Sequence, residues 1–65
     1  MFVDVYRIIN GIYKTNDLVE QIEFKDLTFP TEILEFCNRH NVMISNVNED
    51  VLICRETKQP KYFIK

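Results

Sequence analysis

The sequence contains no tryptophan and no alanine, one glycine, two prolines, two cysteines and one histidine. Each scarcity excludes something. With Gly11 alone, no glycine-rich loop brings backbone N–H groups close to a substrate. Low glycine and proline beside 46% hydrophobic residues mark a chain that folds rather than one that stays disordered. Two cysteines, Cys37 and Cys54, fall short of the framework that secreted domains of this length carry. The longest apolar run, Val51 to Cys54, is far below the ~20 residues of a membrane span. No stretch has the basic flank, apolar run and small-residue cleavage site of a signal peptide. The expectation is a soluble, cytoplasmic protein without a membrane partner.

What is present points to one small folded unit. Sixty-five residues leave room for a single domain over positions 1–65, and a chain this short buries only about 60% of its unfolded surface. Such domains commonly lean on a disulfide, a metal or a partner chain. Isoleucine, asparagine, phenylalanine, tyrosine and lysine are plentiful, and their codons are mostly AT-rich. Small genes of that composition are common in bacteriophages and mobile elements, which gives an expected origin but no mechanism.

Periodicity and turn chemistry supply the elements. Met1–Thr15 reads as a β-hairpin about Asn10-Gly11, because a type I′ turn needs positive φ at both central residues. A two-residue loop sets Ile9 opposite Ile12, Ile8 opposite Tyr13 and Arg7 opposite Lys14. The last pair carries like charges and is unfavourable. Positions 16–29 allow two readings. Asp17 and Glu20 would form a capping box for a helix, while Gln21-Ile22-Glu23-Phe24-Lys25 alternates as a strand with Ile22 and Phe24 on one face. The strand is favoured.

The spacing predicts a helix from Pro30 to His40. Proline suits a first turn, Ile33, Leu34 and Cys37 form an apolar stripe widened by Phe36, and Asn41 suits a left-handed stop. Glu32 near its start and Arg39 and His40 near its end complement the helix dipole. Val42–Val47 and Val51–Glu56 make a second hairpin about Asn48-Glu49-Asp50, and Tyr62-Phe63-Ile64 adds an edge strand after Pro60. The sum is an α+β fold: an antiparallel sheet of four to six strands, two hairpins among them, packed by one α-helix on one face. The first strand and Val51-Leu52-Ile53-Cys54 are apolar on both sides, so the uncovered face is expected to meet a partner or a second copy of the chain.

Chemistry-bearing residues are sparse. Cys37 and His40 share a helix face, but a nucleophile–base pair also needs an orienting group and an oxyanion site, and neither is recognisable. Cys37, His40 and Cys54 lack the four-ligand pattern of a structural zinc site, and a Cys37–Cys54 disulfide does not suit a reducing compartment. No enzyme activity, metal or cofactor is expected.

Charge is more informative. Asp17, Glu20, Glu23 and Asp26 form an acidic stretch that could dock on a basic surface and steer association. Tyr13 and Tyr62 are candidate aromatic anchors. The expected function is a non-enzymatic interaction module, an accessory protein that inhibits a host nuclease, toxin, defence effector or polymerase by steric occlusion. The alternative is nucleic-acid binding through Arg55, Lys58, Lys61, Tyr62, Phe63 and Lys65, which interleave bases with aromatics. Against it stands a pI near 5.2, the reverse of the usual nucleic-acid footprint.

Overall fold

The computed structural model describes residues 2–23 and 31–65, with the side chains of 13–16 left aside. Strands β1 (Phe2–Ile9) and β2 (Ile12–Glu23) form the first hairpin. Helix α1 (Thr31–His40) follows, then β3 (Val42–Ile44), β4 (Val51–Cys54) and β5 (Pro60–Ile64). The five strands make one antiparallel sheet in the order β2-β1-β5-β4-β3. This is the α+β arrangement expected from the sequence. The chain leaves the sheet at one edge, β2, and α1 feeds it back into the other edge, β3.

The first turn forms as its chemistry dictates. Asn10 has φ 54° and Gly11 φ 79°, and the register sets Ile9 against Ile12 and Ile8 against Tyr13. The expected Arg7–Lys14 opposition does not occur in the register, because the ladder slips there. From the pair Ile8–Tyr13 to the pair Tyr6–Leu18, β1 moves back two residues while β2 advances five. A second irregularity lies between Tyr6–Leu18 and Val5–Glu20. Beyond these bulges β2 runs on to Glu23, so the middle segment is a strand, and it continues the first hairpin rather than starting a new element. Phe24 to Pro30, including the proline expected to open the helix, lie outside the described residues.

The helix ends where expected, with Asn41 at φ 55°, a conformation in which asparagine is less penalised than other non-glycine residues. Its core stripe differs in one member. Phe36 and Cys37 are buried, whereas Leu34 is 51% exposed. The second hairpin is shorter than the sequence suggests, its ladder running from Val42–Cys54 to Ile44–Leu52.

The largest departure is β5. It is central, not an edge, lying between β1 and β4. Pro60 is tolerated because it is the strand's first residue, beside a slip in register between Leu52 and Ile53.

Val5, Ile22, Phe36, Cys37, Val42, Leu52 and Ile64 make the buried core between α1 and the sheet, with Val3, Ile33, Ile44 and Tyr62 packed against it. These positions fix which face each strand residue serves, since alternate side chains point to opposite sides.

Candidate functional site

The strand residues that alternate with the core positions define the face turned away from α1. Tyr6, Phe63 and Val51 occupy neighbouring places across β1, β5 and β4, since Tyr6 pairs with Phe63 and Phe63 with Val51. Ile53 and Met43 extend the row on β4 and β3, where they pair with each other. Leu18 extends it on β2, opposite Tyr6. Tyr6 is 8% exposed, Leu18 is 45% exposed, and the other four are half-buried. The helix covers the opposite side. This face is therefore apolar across all five strands.

Its fringe is polar. Asp4 accepts hydrogen bonds from the Tyr6 hydroxyl at 3.1 Å and from Gln21 Nε2 at 2.9 Å. Glu23 is exposed at the end of β2, opposite Phe2. At the other side Lys58 Nζ donates to the Arg55 carbonyl at 2.8 Å and lies 3.5 Å from Met43 Sδ.

The described members of the acidic stretch, Asp17, Glu20 and Glu23, do not share one surface. Glu20 turns toward the helix and pairs with Arg39, Glu23 alternates to the other side, and Asp17 lines a small cleft with Arg7, Leu18 and Val19. Strand alternation puts Glu20 and Glu23, three residues apart, on opposite faces. Asp26 lies outside the described residues, as does the side chain of Tyr13.

Tyr62 packs on the core side. Its ring meets Phe36 edge-on with centroids 5.1 Å apart, and its hydroxyl lies 3.4 Å from His40 Nδ1. His40 in turn stacks on Phe36 at 4.1 Å.

The basic C-terminal set is divided too. Arg55 Nε donates to the Val42 carbonyl at 3.0 Å and Nη2 to Asn38 Oδ1 at 2.7 Å, tying the turn after β4 to β3 and the helix. Tyr62 and Phe63, as strand neighbours, point to opposite faces. Lys58, Lys61 and Lys65 are exposed.

Both cysteines are free thiols. Burial holds the Cys37 thiol above its ordinary pKa, with Arg55 opposing part of the effect. Cys54 is shifted the other way, chiefly by the Thr57 hydroxyl and by the backbone N–H groups of Thr57 and Glu56. Among the described residues, no three His, Cys, Asp or Glu side chains converge as a metal site, and no helix is long and apolar enough to cross a membrane.

A groove that the linear sequence does not announce lies on the core side. Val3, Ile33, Ile44 and Ile64 line it together with Ser45, Asn46, Glu49 and Asp50, enclosing about 560 Å³. Its parts come from β1, α1, β3, β5 and the turn after β3, so no local motif could reveal it.

Comparison with protein-family models, curated proteins and solved structures finds no match. The reading below rests on the chain's own chemistry.

Proposed function

We propose that this chain is a non-enzymatic protein-binding module, an accessory protein of phage or mobile-element type that occludes a working surface of a host protein. The observation that carries the reading is the apolar face opposite α1, where Val51, Ile53 and Met43 stand half-buried on neighbouring strands. A partner covering it would remove half-buried apolar surface from water at about 25 cal/mol per Å². Asp4 and Glu23 beside β2 favour a partner whose rim is basic. Glu20 belongs to the fold, through Arg39, rather than to the contact.

The test is affinity capture from a nuclease-treated bacterial lysate with the wild-type chain and with Ile53→Lys. One stoichiometric protein, retained at moderate salt by the wild type and lost with the variant, is the expected result. Equal capture by both would remove the face opposite α1 from the contact.

A second reading is favoured by the exposure of Lys58, Lys61 and Lys65 in and beside the strand that carries Tyr62 and Phe63. A strand bearing lysines and an aromatic ring on an antiparallel sheet could hold single-stranded nucleic acid. It predicts oligonucleotide binding that weakens steeply with salt and on replacing Lys58 and Lys61. Flat titrations at low salt would end it.

A further inference from the structure

We infer that the groove between the first turn of α1 and the 45–50 turn docks a peptide segment of a partner protein in which a branched aliphatic side chain stands beside a lysine or arginine. The inference rests on the reading of the chain as a binding module, but it uses the core side of the sheet, not the face opposite α1.

The floor and the lip carry different information. Among the described residues, Val3, Ile33, Ile44 and Ile64 give an aliphatic floor. It suits a compact branched side chain better than a charged or polar one. The lip is acidic. Glu49 and Asp50 are exposed, and among the described residues the one salt bridge is Arg39–Glu20, so neither lip carboxylate is neutralised by a described cation. A segment entering over this lip gains from a positive charge and is repelled if it carries a negative one.

The lip is also preformed. Ser45 Oγ accepts hydrogen bonds from the N–H groups of Val47 at 3.1 Å and Asn48 at 3.3 Å, and Asn48 Oδ1 accepts from Asp50 N–H at 3.0 Å. Backbone bonds from Ser45 to the Val51 carbonyl, from Val51 to the Asn48 carbonyl and from Ile64 to the Asp50 carbonyl close the turn onto β4 and β5. The side chains of Ser45 and Asn48 are thus spent on holding the turn, which leaves the two carboxylates to meet a ligand. A turn already ordered spares the binding step that entropy cost.

The test is methyl and amide NMR titration of the full chain with a synthetic probe, the acetylated and amidated pentapeptide Arg-Ile-Arg-Ile-Arg. Two controls replace its arginines with glutamate or its isoleucines with serine. The inference expects the first peptide alone to shift the methyl signals of Ile33, Ile44 and Ile64. The double variant Glu49→Gln, Asp50→Asn, which keeps every backbone bond of the turn, should weaken that binding by about threefold to tenfold. An unchanged amide spectrum elsewhere verifies that the variant is folded. Unmoved isoleucine methyls, equal response to all three peptides, or undiminished binding by the double variant would each overturn it. Ile53→Lys, on the face opposite α1, should leave pentapeptide binding intact. The result here is therefore separate from the outcome of affinity capture.

Discussion

Arg39 and Glu20 form a two-pronged ion pair, Nη1 to Oε1 at 3.2 Å and Nη2 to Oε2 at 2.9 Å, that ties the last turn of α1 to the edge strand β2. The Arg39 guanidinium also sits 5.6 Å from the centre of the Phe36 ring. The arginine thus spans from the strand to the aromatic cluster of Phe36, His40 and Tyr62. The hydrogen bonds from Arg39 hold the Glu20 carboxyl below its ordinary pKa of 4.5, partial burial opposes this, and the charges of Arg39 and His40 add to it. The folded chain therefore binds this proton less readily than the unfolded one. Its contribution to stability is complete above the unfolded carboxyl's pKa and is lost as pH falls through the lower folded value. Glu20→Gln should lower the thermal midpoint by a few degrees at most at neutral pH, since the pair is solvent-exposed. The gap to the wild type should close in acid. A gap that persists unchanged at pH 2 would mean that packing, not charge, makes the contact.

How much of this could be read from the residues differs by element. Asn10-Gly11 and Asn41 announced their turns because positive φ has a short-range chemical signature. The helix limits followed from Glu32, Arg39 and His40 for the same local reason. The extent of β2 was hidden because its two irregularities break the alternation that identifies a strand. The central place of β5 was hidden for another reason. Its pairing with β1 joins the two ends of the chain, and Tyr62-Phe63-Ile64 carries nothing that distinguishes a middle strand from an edge. The site suffered most. Asp17, Glu20 and Glu23 are close in sequence yet face different surroundings, while the groove and the apolar face opposite α1 are assembled from residues far apart in the chain.

The core should be unforgiving. Phe36 and Leu52 have no exposed surface, and truncating either to alanine costs roughly 2–5 kcal/mol. A chain of this size has about 3–10 kcal/mol of stability in all. Phe36→Ala and Leu52→Ala should therefore lose most or all cooperative unfolding, seen as a vanishing or sharply lowered urea midpoint by circular dichroism. Leu34→Ala removes a half-exposed helix side chain and should change stability by less than about 1 kcal/mol. A comparable loss at Leu34 would show that another element packs on that side of α1.

The first turn offers a cleaner backbone test. A methyl group added at Gly11 would meet nothing within 4 Å, yet the residue sits at φ 79°. Gly11→Ala should thus cost about 1–2 kcal/mol through backbone strain alone. The loss should appear in chemical denaturation. A neutral outcome would mean that the hairpin tip relaxes to another turn type without disturbing the Ile9–Ile12 and Ile8–Tyr13 pairs.

The two thiols should react at different rates. Cys37 is 2% exposed, and burial keeps its proton on. Cys54 is half-buried in the last position of β4, where the Thr57 hydroxyl and two backbone N–H groups favour the thiolate. The thiolate is the reacting species, so alkylation follows both access and ionisation. Iodoacetamide at pH 8, followed by peptide mass mapping, should label Cys54 well before Cys37. Thr57→Val removes the leading cause of the shift and should slow Cys54 labelling while leaving Cys37 unchanged. In denaturant the two rates should converge, because both causes belong to the fold. Faster labelling of Cys37 in the native protein would show that α1 opens from the sheet more readily than its packing against Leu52 and Val42 implies.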